Sequence, residues 1–219
     1  MWAQYFLDVC GSVAEVVEHA SSGLFQLRMV SESQSGKMGT VHLALSDKSG
    51  DSAIIECIEG DIHIYHDRRY IVMTNQPTFD KQLENLSQYR GFGGEKKLPG
   101  THEPADRFVR SAYYVTHLPE PKSEREAIAA LMSVMRNAAA PFGIADPERP
   151  NVSMTVWRAI YNVTEGRLFF DNVMSPSVFW VQRDQLQLEE GAPIKRLQVA
   201  GEYELANDVS ARFIPSEMF

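Results

Sequence analysis

The chain has 219 residues, of which 44% are hydrophobic and 23% are charged, and its formal net charge is −8 at pH 7. This composition is typical of a soluble globular protein, and the negative charge disfavours nucleic acid as a partner, because phosphate binding needs a basic patch. No segment approaches the roughly 18 apolar residues of a membrane span, so no membrane partner is expected. The only cysteines, Cys10 and Cys57, exclude a disulfide scaffold and a zinc site made of cysteines.

The first third of the chain predicts a short helix, a capped helix and a meander of strands. Residues 2–8 indicate a short helix or the end of a longer one, and no signal peptide is predicted there because no basic region precedes the apolar one. Ser12-Val13-Ala14-Glu15 is a capping box that predicts a helix over 12–21. A strand is predicted at 24–30, followed by a polar loop over 31–39. Strands at 40–45, 52–58, 62–65 and 70–73, joined by short turns, are predicted to form an antiparallel meander.

The central stretch, residues 69–110, places two polar side chains at the ends of predicted elements. The strand at 70–73 breaks before Pro77, and Thr78 is suited to cap a helix that continues to Leu86. A second helix starts at Pro104, because proline suits the first helical position. Asn75 therefore lies at a strand end and Arg107 near a helix start, where sites are usually built.

The rest of the chain predicts one helix followed by more strands. Ser123-Glu124-Arg125-Glu126 is a second capping box, and the helix that it opens continues to about residue 138. Strands are predicted at 154–161, 167–172, 177–182 and 195–199, with a weakly patterned tail after them. Antiparallel sheet with helices on its faces is the α+β class.

No cofactor or metal site is predicted from the sequence. His63 and His66 are an odd number of residues apart on or near a strand, so their side chains point to opposite faces. The glycine-rich runs lack the residues that a phosphate-binding loop or a dinucleotide fingerprint requires.

Several motifs, in the right order, resemble the linear amide C-N hydrolases of the choloylglycine hydrolase and penicillin V acylase family. They are QYFLDVCGSVAEV, VHLALSDKSGDSAIIECIEG, VMTNQPTFDKQLENL, LPGTHEPADRFVR, TVWRAIYNVTEGRLFF and SPSVFWV. The resemblance implies a single domain over residues 1–219, folded as an αββα sandwich of antiparallel sheets of the N-terminal-nucleophile type. It implies hydrolysis of small amides of the penicillin V, conjugated bile salt or N-acyl homoserine lactone kind, and a homo-oligomer, commonly a tetramer.

The resemblance also implies roles for the two polar residues of the central stretch. Asn75 matches the amide donor that stabilises the oxyanion, and Arg107 matches the arginine beside the nucleophile. Spacing alone would instead favour a turn asparagine and a helix-surface arginine. If the family roles apply, the two side chains should lie close together and face a common cleft.

The start of the chain departs from the family pattern. Family members begin with a catalytic cysteine whose own α-amine is the base, whereas this chain begins Met1-Trp2-Ala3-Gln4. Cys10 and Cys57 are not expected to replace it, because Cys10 has no histidine near it in sequence and Cys57 lies mid-strand. We therefore expect the C-terminal part of a family domain that is N-terminally incomplete and inactive alone. The alternatives are a non-catalytic binding or assembly subunit on the same fold and a reading frame that starts late.

Overall fold

A computed structural model describes residues 2–23, 42–144 and 154–217 of the chain. Contacts divide the chain into two compact units, Met1–His117 and Leu118–Phe219. Each unit is described by itself below, and the single domain that the sequence predicts stays a prediction. The predicted strand at 24–30 lies outside the described residues.

The described residues of the first unit form one antiparallel sheet and four helices. Its strands β1, β2 and β3 pair in that order. The elements are α1 (Trp2–Val9), α2 (Val13–Ser21), β1 (His42–Ser46), β2 (Ser52–Ile58), β3 (Asp61–His66), α3 (Phe79–Leu86) and α4 (Pro104–Thr116).

The central strand β2 is buried on both faces, because successive side chains of a strand point in opposite directions. On one face Ile55 packs with Phe6 of α1 and Val16 of α2. On the other face Ile54 packs with Phe79 of α3 and Phe108 of α4. Two helix pairs therefore cover opposite faces of this sheet. The helix that follows Asn75, α3, lies on the same face as α4, which carries Arg107.

The predicted N-cap of α2 is confirmed, with a small change in its hydrogen bonds. The Ser12 hydroxyl accepts a hydrogen bond from the backbone N–H of Glu15 at 3.3 Å. The carboxylate of Glu15 accepts from the backbone N–H of Gly11 at 2.7 Å. Asp47 adds a bond from outside the helix, since its carboxylate accepts from the N–H of Val13 at 2.9 Å.

Asp47 should make the free energy of unfolding depend on pH in the acidic range. Its hydrogen bonds to the Ser49 hydroxyl and to the N–H groups of Val13 and Ser49 lower the pKa of the Asp47 carboxyl to about 2. Because the folded-state pKa is depressed, the stabilisation is present above the ordinary pKa of about 3.9 and is lost as pH falls through 4 towards 2. In urea titrations, Asp47→Asn should therefore lose less stability than the parent between pH 4 and pH 2.

The control for that comparison is Asp61→Asn, which changes an exposed carboxylate at the start of β3. It should follow the parent over the same pH range. An equal acid dependence of the parent and Asp47→Asn would contradict the role of Asp47.

Residues 70–73 do not form the strand that their apolar pattern predicts. Within the described residues this segment has no ladder partner, and the first sheet has three strands. The Tyr70 carbonyl accepts instead from the Ser52 hydroxyl at 2.6 Å. The side chains of Tyr70, Val72 and Met73 pack on the cluster around Phe79. The pattern therefore reports side-chain packing, not strand pairing.

The described residues of the second unit form one α-helix, a mixed four-stranded sheet and a two-stranded sheet. Strands β4, β5 and β6 pair antiparallel, β8 pairs parallel to β6, and β7 pairs antiparallel with β9. The predicted strand at 195–199 is shorter than expected and is not the last one, since β7 ends at Arg196 and two short strands follow it. The elements are α5 (Glu124–Asn137), β4 (Trp157–Asn162), β5 (Arg167–Asn172), β6 (Val178–Gln182), β7 (Lys195–Arg196), β8 (Asn207–Asp208) and β9 (Ile214–Pro215).

The predicted helix α5 and its N-cap are confirmed, although the Glu126 carboxylate accepts from the N–H of Lys122 at 2.7 Å and not from that of Ser123. The Ser123 hydroxyl accepts from the N–H of Glu126 at 3.2 Å. The helix is fastened to the sheet where the buried carboxylate of Asp171 on β5 accepts hydrogen bonds from Arg136 of α5 and from Arg158 of β4. Helices and antiparallel strands in both units confirm the predicted α+β class. Among the described residues, no helix combines the length and apolarity needed to cross a membrane.

Candidate active site

Asn75 and Arg107 meet although they are 32 positions apart in the chain. The Nη2 group of Arg107 donates a hydrogen bond to Oδ1 of Asn75 at 2.8 Å. The Nε of Arg107 donates to the backbone carbonyl of His102 at 3.0 Å. The first bond joins the loop before α3 to the first turns of α4. The expected proximity of the two side chains is therefore found in the structure.

The bond to Arg107 determines which end of the Asn75 side chain is oriented outward. Arginine can only donate, so the atom that it contacts is the amide oxygen. The opposite atom, Nδ2, then carries two N–H donors, and no acceptor within the described residues hydrogen-bonds to it. The arginine thus holds the amide in an orientation that presents a neutral donor.

Burial differs between the two partners. Arg107 is half-buried, and desolvation lowers the pKa of its guanidinium, with a further contribution from the nearby charge of Arg110. Arginine keeps its charge despite such shifts, because its ordinary pKa lies above 12. Asn75 is exposed. The described residues therefore leave the Asn75 side chain open to solvent, and the expected cleft around both side chains stays a prediction.

Two buried polar residues that were not predicted as site residues support the loop around Asn75. Glu56 of β2 is 4% exposed and accepts from the backbone N–H of Phe79 at 2.9 Å. Gln82 of α3 is 1% exposed and donates to the backbone carbonyl of Asn75 at 3.1 Å. The signals that could have found them are a carboxylate inside an apolar strand and an amide on the inner face of a helix.

Glu56, and not Thr78, supplies the side-chain hydrogen bond at the N-terminus of α3. Thr78 precedes α3 as expected, but its side chain makes no capping bond and contacts Asp80 instead. The Glu56 carboxylate also lies 3.3 Å from Nδ1 of His42, its cross-strand neighbour on β1. A negative group is well placed at a helix N-terminus, where it satisfies a free N–H group and complements the helix dipole.

Neither cysteine occupies the candidate site. Cys10 packs against the cluster of Phe6 and Val16, and burial raises the pKa of its thiol, with a smaller effect from the Glu15 charge. A raised pKa disfavours the nucleophilic thiolate. Cys57 is half-buried on β2. No hydrogen bond between either thiol and Asn75 or Arg107 occurs among the described residues.

Two histidines of the first sheet lie beside carboxylates, His42 beside Glu56 and His66 beside Asp51. On β3, His66 hydrogen-bonds to the carboxylate of Asp51 at 2.9 Å. In the described part of the chain, no three His, Cys, Asp or Glu side chains gather where they could hold a metal ion.

The fold and the asparagine–arginine pair define an α+β protein with a preorganised amide donor. A sequence profile of the linear amide C-N hydrolases, choloylglycine hydrolase family, matches residues 1–196. The chain therefore belongs to this family.

Curated relatives include an acylase and a hydrolase. The penicillin V acylase of Pectobacterium atrosepticum is 39% identical over 192 residues, which cover 82% of this chain and 51% of the relative. A conjugated bile acid hydrolase of Lactobacillus acidophilus is 26% identical over 169 residues, which cover 67% of this chain and 53% of that protein. The chain thus spans about half the length of the curated relatives that it matches.

Solved structures agree with this assignment. A penicillin V acylase from Agrobacterium tumefaciens superposes with a TM-score of 0.86 at 37% identity, covering all of this chain and 67% of the other. A mutant conjugated bile acid hydrolase from Clostridium perfringens gives a TM-score of 0.70 at 20% identity, covering 92% of this chain and 65% of the other. The second likeness supports the fold alone.

Proposed function

We propose that this chain supplies the oxyanion-stabilising half of a linear amide hydrolase site. Asn75 is the donor to the oxyanion, and Arg107 orients its amide and adds a positive charge beside it. The observation that carries the proposal is the 2.8 Å bond from Arg107 to Oδ1 of Asn75, because it leaves the two N–H donors of the amide directed away from the arginine.

The proposed chemistry is acyl transfer to water through a thioester. An N-terminal cysteine attacks the substrate carbonyl, with its own α-amine as base, since an α-amine with a pKa near 7.7–8.0 is partly unprotonated at neutral pH. The carbonyl oxygen becomes an oxyanion, which the Asn75 amide stabilises as the charge develops. The amine leaves with a proton, and water then releases the acyl group as a carboxylate.

In this mechanism the nucleophile comes from outside the described residues. The thiol of Cys10 is packed in an apolar cluster, and that of Cys57 lies on the central strand of a sheet. We therefore propose that the 219-residue polypeptide alone does not hydrolyse amides.

The substrate class that we propose is a small linear amide. The relatives carry names of two kinds, penicillin V acylase and conjugated bile acid hydrolase, and the greater identity is to the acylase. We therefore choose penicillin V as the first substrate to assay.

The test is a hybrid in which this chain replaces the matching stretch of the Pectobacterium acylase. The hybrid should release free amine from penicillin V, because the relative supplies the remainder of the site and this chain supplies Asn75 and Arg107. A hybrid whose nucleophilic cysteine is changed to alanine controls for contaminating activity and should be inactive.

Two outcomes would contradict the proposal. A folded hybrid with no turnover would favour the alternative of a non-catalytic subunit on the same fold. Turnover by the 219-residue chain alone, abolished by Cys10→Ala or Cys57→Ala, would place the nucleophile inside this chain.

A further inference from the structure

Gln82 is the most buried polar side chain next to the Asn75 loop. It lies on α3, is 1% exposed, and directs its Nε2 group at two oxygens. One is the backbone carbonyl of Asn75 at 3.1 Å, and the other is Oγ1 of Thr74 at 3.2 Å. A single side-chain amide therefore holds two consecutive residues of the loop.

Thr74 extends this contact to the helix that carries Arg107. Its hydroxyl donates to the backbone carbonyl of Pro104, the first residue of α4, at 2.9 Å. Asn75 is thus held twice, at its main chain by Gln82 and at its side chain by Arg107. Fixing the carbonyl limits rotation of the main chain at Asn75, and so limits where the side-chain amide can be directed.

The other end of Gln82 has no hydrogen-bond partner within the described part of the chain. Its Oε1 atom is buried, and nothing among the described residues donates to it. A buried polar atom without a partner is unfavourable, whereas an apolar side chain of similar shape would avoid that cost. Stability alone therefore does not explain a glutamine at position 82. The two hydrogen bonds from its Nε2 group to the loop explain it.

We propose that Gln82 is a positioning residue for the oxyanion donor, acting through the main chain of Asn75. This inference rests on the proposed function of Asn75. Gln82 itself contacts no substrate in this account. Its effect on turnover should consequently pass entirely through Asn75.

The first test is Gln82→Met in the hybrid acylase. Methionine keeps the length of the side chain, removes the donors and removes the unpaired acceptor. We expect kcat to fall by about 10- to 100-fold, because a displacement of about 1 Å in a site costs up to about 100-fold. KM should change by less than about threefold, since binding of the ground state does not use the misplaced donor.

The decisive comparison uses Asn75→Ala as a background. If Gln82 acts only through the Asn75 amide, Gln82→Met should cause no further loss once that amide is absent. Gln88→Met is the matched control, because Gln88 follows the same helix but is exposed and bonds to Lys96. It should leave kcat unchanged.

A second measurement does not depend on activity. In the 219-residue chain, Gln82→Met should speed hydrogen–deuterium exchange of residues 75–79 and leave that of strand β2 unchanged.

Unchanged exchange at 75–79 would overturn the inference even if the hybrid proved inactive. The inference would also be overturned if Gln82→Met lowered kcat equally in the parent hybrid and in the Asn75→Ala hybrid. A loss from Asn75→Ala without one from Gln82→Met would refute this inference but not the proposed function, whereas no loss from Asn75→Ala would refute the latter.

Discussion

Replacing Asn75 with alanine in the hybrid acylase should lower kcat for penicillin V by about 100- to 1,000-fold. That range is the usual effect of removing one donor to an oxyanion, about 2.7–4 kcal/mol of activation free energy. Arg107 holds Oδ1 of the amide, which leaves the donors at Nδ2 for the oxyanion. Alanine removes these donors. The change is measured as the initial rate of amine release at saturating substrate.

Asn75→Asp separates the donor from the shape of the side chain. Aspartate keeps an oxygen for Arg107 but has no N–H group, so it should be at least as impaired as alanine. Lys81→Ala is the control. Lys81 is an exposed residue of α3, the helix that follows Asn75, and its replacement should leave kcat within about twofold of the parent. A kcat near that of the parent for Asn75→Asp would contradict the role of the amide as a donor.

Replacing Phe79 with alanine should lower the free energy of unfolding by about 3–5 kcal/mol, the usual cost of a large cavity in a core. Phe79 is 2% exposed and forms T-shaped contacts with Tyr70 at 4.9 Å and with Phe108 at 6.0 Å between ring centres. The change is measured by urea denaturation of the 219-residue chain.

The same substitution on the surface is the control for Phe79. Phe142 is 51% exposed, so Phe142→Ala should change the free energy of unfolding by less than about 0.5 kcal/mol. A loss below about 1 kcal/mol for Phe79→Ala would contradict the assignment of Phe79 to the core that joins α3 and α4 to the first sheet.

The elements that the sequence predicted well are those fixed by local signals. Ser12 and Ser123 start helices in the structure, because the bond from the cap to the third residue of the helix involves neighbours in the chain. Pro104 starts α4 for a similar reason, since its ring suits the first turn. Such signals need no information about distant residues.

The elements that were missed depend on pairing between distant segments. The apolar residues at 70–73 pack against Phe79 without pairing as a strand. The strand Asn207–Asp208 has two residues and no apolar pattern, and it forms only because it lies beside β6. Local propensity does not report such neighbours.

The candidate site was predictable only in part. The proximity of Asn75 and Arg107 was predicted from the motif resemblance and not from their spacing in the sequence. The supporting residues Glu56 and Gln82 were not predicted, because they lie on other elements, β2 and α3, and contact the segment around Asn75 only in the folded chain. Polar residues inside apolar patterns are the signal that such support leaves in a sequence.

The central claim is that Asn75 stabilises the oxyanion, and the acylation rate constant of the hybrid tests it most directly. Single-turnover kinetics with excess enzyme separate this constant from the dissociation constant of penicillin V. We predict that Asn75→Ala slows acylation by about 100- to 1,000-fold and leaves the dissociation constant within about threefold of the parent value. An unchanged acylation rate constant, or a loss found entirely in substrate binding, would contradict the account.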